Sequence, residues 1–337
     1  MERRHPADDL EARPLDQGSV ADWQRLRAEI ESVDGAGEHV SAEDLVEMLE
    51  DPKLDPARDT LGLWSGSRLV AYAVLHTPHG APEVARFQGD AAVHPDRRRH
   101  GIGTRLVDWL ETRAETRLKA DGQLSALRGE LLLDGLAGDP GLLKLAQRQG
   151  FRPCRWWFDM KQPAPTGDHR PEPRPAPEGT LPAAFEATYD EATRLAHNDA
   201  FRDHWNFTPY DATDWRTWVT GSGSFRPAMS RLLIAGDEMA AYLLAEESEA
   251  ETAATGSRDC HVGFLGTRRS WRGRGAAQAL LTDVLRTARD AGYDTVSLTV
   301  DTDNPSGALG LYERSGFAAT HEAVTYARPL GRGAFRS

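Results

Sequence analysis

Cysteine is nearly missing from this sequence: Cys154 and Cys260 are its only two in 337 residues. Two are too few for a disulfide framework and too isolated for a zinc site, so no metal is expected. Long apolar runs are missing as well, and no stretch approaches the ~18–20 residues of a membrane span. The charged start, Met1-Glu2-Arg3-Arg4-His5-Pro6, leads into no apolar segment of the secretory kind. These absences predict a cytoplasmic protein without a membrane partner. Excess positive charge is also lacking: 40 Lys and Arg stand against 52 Asp and Glu, for a net charge of −12. That balance speaks against nucleic acid as a main partner.

What is present is enough chain for two domains, each long enough to bury its own core. Residues 163–182 hold seven prolines, at 163, 165, 171, 173, 175, 177 and 182. Proline withholds backbone donors and favours extended geometry, so this segment reads as a semi-rigid linker between halves 1–162 and 183–337. The halves repeat. The stretch from Val93 to Val107 aligns with that from Thr267 to Leu281 at an offset of 174, and Arg148 to Phe151 aligns with Arg314 to Phe317 at an offset of 166. Such self-similarity points to duplication of one fold.

Each half alternates strand and helix signals. In the first, Ser19 is expected to cap a helix with Trp23, Leu26 and Ile30 at helical spacing, and Ser41 with Asp44 makes a capping box for a second helix. A strand, turn and strand follow over 61–76, then a strand over 83–93 and a helix with Leu106, Leu110 and Ala114 on one face. Strand 130–136, helix 140–149 and strand 151–160 close the half. The second half reads as helices near 188–202 and 211–220, a hairpin at 231–246 and a strand at 259–267. Helix 276–291, strand 295–301, helix 305–315 and strand 317–327 follow. The expected class is α/β, a mixed twisted sheet with helices on its faces, built twice.

Between a strand and a helix in each half lies an arginine–glycine turn. One is Arg98-Arg99-His100-Gly101-Ile102-Gly103-Thr104, the other Arg272-Gly273-Arg274-Gly275-Ala276-Ala277-Gln278. Small residues let a backbone approach a ligand closely. The first-turn amides of a helix are unpaired, and its dipole favours an anion there. Two such turns in an acidic chain predict two small anionic ligands, most simply a pyrophosphate. A dinucleotide-binding loop does not fit, because the third glycine it needs is replaced by Leu106 and Gln278.

These turns, with Asn304, Ala308, Leu311-Tyr312-Glu313 and Gly316-Phe317 downstream, resemble the GCN5-related N-acetyltransferase (GNAT) family, doubled in tandem. The resemblance covers nearly the whole chain twice, the proline segment excepted. It implies two GNAT-like domains, acetyl-CoA as the coenzyme, and an acetyl group moved to an amine of a small molecule, by a monomer or homodimer. Some doubled members are tied to antibiotic metabolism. The resemblance implies coenzyme contacts at Leu265, Gly266 and Thr267 on the strand, Arg272 to Gln278 in the turn, and Asn304. In the first half it implies the same for Ala91, Ala92, Val93 and Arg98 to Thr104.

Acetyl transfer needs a proton removed from the amine and one supplied to the departing thiolate. By resemblance Tyr312 is the general acid; the other reading is a tyrosine packed on the sheet. His261 lies eleven residues before Arg272, where histone-acetylating members place a glutamate, with Asp259 two residues earlier on the same face. Two readings of His261 stand: a base, or a strand histidine bonded to its surroundings. The first half has Ala146 at the place of Tyr312, Gly138 at that of Asn304 and Phe87 at that of His261. It is expected to hold coenzyme without turning it over. Resemblance also sets His197, Asn198, Asp199, Phe201, Asp203, His204 and Trp205 at the edge of the acceptor pocket, where acids and aromatics suit a cationic amine. The competing function is a non-catalytic acyl-CoA-binding module or scaffold.

Overall fold

The computed structural model describes residues 9–78, 83–303 and 307–331. They form two compact units. The first runs to Trp156 and resumes at Ala323; the second is Trp157–Glu322. In chain order the strands are β1 (Glu11–Arg13), β2 (Thr60–Ser65), β3 (Arg68–His76), β4 (Val84–Val93), β5 (Arg128–Leu136), β6 (Arg152–Pro163), β7 (Leu181–Ala184), β8 (Arg231–Ala235), β9 (Glu238–Glu246), β10 (Asp259–Thr267), β11 (Thr295–Asp301) and β12 (Ala318–Pro329). Among the described residues the sheet of the first unit is ordered β1-β2-β3-β4-β5-β12, and that of the second β7-β8-β9-β10-β11-β6. In each, one central pair is parallel, β4 with β5 and β10 with β11, and its flanking strands are antiparallel. This is the mixed sheet the alternating pattern predicts.

Helices cover both faces, because each presents one apolar stripe. In the first unit Leu106, Leu110 and Ala114 of the helix Ile102–Ala120 pack with Phe87, Leu131 and Leu133. Trp23, Leu26 and Leu45 pack with Tyr72 and Val74 on the opposite face. The Ser41–Asp44 capping box forms as expected, whereas the Ser19 hydroxyl does not cap its helix, being taken up by the backbone of Asp16 in the preceding turn. In the second unit Leu280, Leu281 and Val284 of the helix Ala276–Thr287 pack with Leu243, Val262 and Leu298. The helix Asp190–Ala200 and Trp215 cover Tyr242 and Leu244 on the other side.

The final strands differ from the sequence reading, which closes each half with its own last strand. Instead β6 pairs with β11, Trp157 opposite Asp301 through Pro163 opposite Thr295. In turn β12 pairs with β5, Ala323 opposite Leu136 through Pro329 opposite Glu130. Local sequence cannot distinguish the two arrangements. Both strands follow the same glycine turn, in which Phe151 N donates to Ala146 O at 2.9 Å and Phe317 N to Tyr312 O at 3.1 Å. Partner choice rests on distant packing: Val324 and Tyr326 are buried in the first core, Met160 in the second.

The proline segment is held against the second unit. Ala164 N donates to Asp294 O at 2.8 Å, Arg170 pairs with Asp290, and Arg286 Nη1 donates to Pro171 O at 2.6 Å. Its fixed φ angles reduce the entropy lost on docking.

A fragment spanning 157–322 contains the whole described sheet of the second unit, whereas 183–337 lacks β6. The unpaired apolar edge left on β11 should make 183–337 aggregate, while 157–322 unfolds cooperatively in denaturant. Equal cooperativity of the two fragments would show that β6 is dispensable or that β12, present in 183–337, takes its place on β11.

Candidate active site

The 174-residue repeat is a repeat of geometry. His94 N donates to Val70 O at 2.9 Å, and Arg268 N to Ala240 O at 3.0 Å. A single tight turn follows, then two alternate left-handed residues: Arg99 and Gly101 with φ of 68° and 79°, Gly273 and Gly275 with φ of 72° and 84°. The helices that begin at Ile102 and Ala276 have no side-chain cap. Their first amides, those of Ile102, Gly103 and Thr104 and of Ala276, Ala277 and Gln278, are left to face outward. Left-handed residues ahead of a helix start make a concave nest of N–H groups for an anion. In the second unit a Cβ at Gly273 or Gly275 would meet nothing within 4 Å, so the nest opens on free space. Arg274 stacks over Trp271 at 4.7 Å.

The strand leading into each turn leaves its parallel neighbour. β4 pairs with β5 only as far as Gly89, and β10 with β11 only as far as Val262. Because Arg268 bonds back to β9, alternation turns the N–H groups of Leu265 and Thr267 the other way, toward the gap. In the first unit Ala91 and Val93 stand in the same relation, and Ala92 and Gly266 pair with Tyr72 and Tyr242. Arg98 Nε donates to Val93 O at 3.1 Å, and Arg272 Nε to Thr267 O at 3.4 Å. The residues present thus fit a coenzyme with a pyrophosphate and an extended amide arm: a nest for the first, open strand backbone for the second.

The two nests differ in charge. Arg98 is held by both oxygens of Asp34, at 2.7 and 2.6 Å. Arg272 Nη2 instead donates to Ala200 O at 2.7 Å, with Asp203 3.9 Å from Nη1. Asp203 pairs with Arg269, and Asp199 accepts from Arg269 N at 3.2 Å. The acids expected to line the acceptor pocket therefore face arginines. Asn198 pins the backbone of Tyr210 in both directions, at 2.9 and 3.0 Å. His197 is buried in an aromatic cage, bonded to the Tyr242 hydroxyl at 2.7 Å and stacked on Phe201 at 4.5 Å. Burial pushes its pKa down to about 3, so it is neutral. His204 is half-buried and lowered too, by burial and by Arg272. Trp205 packs beside Trp157 at 6.4 Å.

A polar row crosses four strands on this same face. Glu246, His261, Ser297 and Lys161 are successive register partners on β9, β10, β11 and β6. His261 Nδ1 lies 2.9 Å from Ser297 Oγ, and Ser297 donates its hydroxyl to Asp259. Asp259 also takes the Thr295 hydroxyl and sits 3.6 Å from Lys161 Nζ. A serine has one proton to give, and a carboxylate can only accept. Ser297 is committed to Asp259, so His261 Nδ1 must carry the hydrogen it shares with Ser297. The lone pair of His261 is then on Nε2. Asp259, buried at 4% exposure, acts through Ser297 on the tautomer of His261.

Linear spacing matches His261 with Phe87, but the structure corrects that equivalence. The β9–β10 register shifts between Val262 and Phe264, whereas β3 and β4 pair without a shift. The extra residue, Gly263, turns the following alternation by one and sets His261 on the face that carries Tyr242. Phe87 faces the helix-covered core. In the first unit it is Gln88 that lies on the corresponding face, the one that carries Tyr72, bonded to Asp134 at 3.1 Å.

Tyr312 stands on the opposite face, in the apolar cluster that includes Ala276 and Leu265. Its ring meets Phe317 edge-on at 6.1 Å, and burial pushes its pKa up to about 12. It is therefore protonated at neutral pH. Among the described residues its hydroxyl has no hydrogen-bond partner. The equivalent Ala146 is fully buried. Asn304 lies outside the described residues.

Two residues escaped the sequence reading. Ser297 shows only in register. Glu246 ends a strand fifteen residues before His261, with no motif around it. A Cβ at Gly263 would lie 2.2 Å from Glu246 Oε1, so the bare glycine makes the room that carboxylate occupies. Burial holds the Glu246 carboxyl above the usual carboxylate range.

Known proteins match this arrangement. The model of the acetyltransferase (GNAT) family matches residues 22–128 and 191–317. A mycothiol acetyltransferase of Parafrankia sp. is 30% identical over 334 residues, 94% of this chain and 97% of its own length. The crystal structure of a GCN5-related N-acetyltransferase from Sphaerobacter thermophilus superimposes with a TM-score of 0.73 at 26% identity, covering 97% of this chain and 98% of that one. A tandem GNAT protein from the clavulanic acid biosynthesis pathway shares the fold, with a TM-score of 0.67 at 19% identity over 96% of this chain and 100% of its own. Two nests of the same geometry, two family matches and a full-length relative agree: the chain belongs to the GNAT acetyltransferase family and is an acyltransferase of two tandem GNAT units.

Proposed function

We propose that the second unit transfers the acetyl group of acetyl-CoA to an amine of a small molecule, in the cytoplasm. The observation that carries this reading is a base of fixed tautomer, His261 Nε2, at the root of the gap that β10 opens beside an anion nest. Acetyl-CoA, when bound, supplies a thioester carbon open to nitrogen attack. Arg272, Arg274 and the amides of Ala276, Ala277 and Gln278 hold its pyrophosphate. The N–H groups of Leu265 and Thr267 hold the arm and polarise the carbonyl. His261 takes a proton from the amine, Asp259 positions it through Ser297, and Tyr312 gives its proton to sulfur. His261 and Tyr312 come from opposite faces of the sheet, and the gap between β10 and β11 is the opening through which both would act on one centre. The mycothiol acetyltransferase relatives support a small-molecule acceptor.

The non-catalytic, coenzyme-binding reading belongs to the first unit. There Arg27 is locked to Asp90 at 2.9 Å and to Glu38 at 3.1 Å, and Asp90 takes the Tyr72 hydroxyl at 3.0 Å. This ionic plug fills the position that the His197 cage has in the second unit. A coenzyme at Arg98 to Thr104 must displace Asp34, so it binds there more weakly.

Three outcomes test these roles. Gly275→Val forces a branched side chain into φ of 84° and should weaken coenzyme A at the second unit by roughly tenfold or more, read by calorimetry on a folded variant. Unchanged affinity places the pyrophosphate elsewhere. Asp34→Asn frees Arg98 and should strengthen a second, weaker coenzyme site; a single site in both proteins would show the first nest to be unused. Tyr312→Phe keeps the ring and removes the proton. With chemistry rate-limiting, kcat should fall by ~10²–10⁴-fold while KM for acetyl-CoA moves less. Near-full kcat would make Tyr312 a packing residue.

A further inference from the structure

Glu246 is the unexplained group of the second unit. Most partly buried acids here have a partner: Glu247 is held by Arg226, Arg258 and Tyr293, and Asp259 by Ser297 and Thr295. Among the described residues the Glu246 carboxylate accepts no hydrogen bond, although β9 carries it to the polar row and the Gly263 bulge makes room for it. A carboxylate withdrawn from water without a donor is costly. The groups that face it are His261 on β10 and the Tyr210 phenol, whose ionisation Glu246 disfavours. Phe264 is next on the same face, and Tyr210 and Phe264 both belong to the aromatic cage around His197. A carboxylate beside an aromatic wall is the chemistry that holds an alkylammonium.

We propose that Glu246 receives the acceptor as its ammonium ion and takes the second of the two protons that the nitrogen gives up, His261 taking the first. The proposal rests on the N-acetyltransferase reading of this site and narrows its substrate to a primary amine that enters charged. The ammonium loses one proton to His261 Nε2. The freed lone pair forms the C–N bond as the thioester C–S bond breaks. The remaining surplus proton on nitrogen passes to Glu246, and the departing sulfur takes the Tyr312 proton. One of the two collected protons restores Tyr312 and the other leaves to solvent, so amide and thiol are both neutral and the enzyme is returned to its starting state.

The test uses the full chain labelled with ¹⁵N-histidine, His261 being assigned by a His261→Gln variant. n-Butylammonium chloride and n-butanol are titrated in parallel. The charged probe should shift the His261 ring signals and bind wild type at least tenfold more tightly than Glu246→Gln, and n-butanol should leave His261 unmoved. Gly263→Ala, which sets a methyl where the carboxylate lies, should weaken the ammonium as well while keeping every charge. Equal ammonium affinity in wild type and Glu246→Gln, or equal response to the alcohol, overturns the proposal. Thiol release from acetyl-CoA with n-butylamine and other primary amines is measured alongside. If wild type binds the ammonium through Glu246 yet releases no thiol with any of them, the transferase reading fails while the ammonium site stands.

Discussion

The site depends on where β10 stops pairing. Antiparallel bonds to β9 hold it along its length, but its parallel bonds to β11 end at Val262. The N–H groups beyond that point turn toward a gap, and backbone donors withdrawn from water demand a partner. An extended ligand lying in the gap would supply it. The same break sets the faces apart. Before it, His261 and its row of polar partners open on one side; beyond the next helix, Tyr312 closes the other. Gly263 works in the same place twice: its bulge turns His261 outward, and its missing side chain leaves room for Glu246.

Charge acts here at contact range. A net charge of −12 describes the far field, which salt screens beyond ~8–10 Å. Within that field each arginine–glycine turn carries its own arginines, and each has met a carboxylate of the chain. In the first unit Asp34 grips Arg98 with both oxygens; in the second Asp203 takes Arg269 and leaves Arg272 on a carbonyl. Repeated backbone geometry therefore supports unequal sites. The faces that carry Tyr72 and Tyr242 diverge likewise, into an ion pair of Arg27 with Asp90 and an aromatic cage around a neutral His197.

Much of the architecture was legible in order. Strand and helix periods, the capping box at Ser41 and both arginine–glycine turns fall where their patterns place them, since each depends on residues within one or two turns of chain. Other features depend on partners far along it. Asp199, Asp203 and Asn198 read as a pocket lining, yet the first two meet arginines and the third holds a loop. The proline segment reads as a tether, yet Arg286 and Asp290 bind it. The match of Phe87 with His261 failed on a single inserted residue, because strand alternation has a period of two and one residue reverses every face after it.

The sequence by itself determined that one α/β unit occurs twice, that each carries an arginine–glycine turn at a helix start, and that the second has Tyr312 where the first has Ala146. Those are local properties, written in spacing. Tertiary structure alone decided that β12 completes the first sheet and β6 the second, that Ser297 and Asp259 set the tautomer of His261, and that Glu246 joins them. Two strands with the same turn and pattern offer the same hydrogen bonds to either sheet, so only distant packing chooses between them. A carboxylate with no motif joins a polar row only when register sets it opposite a histidine.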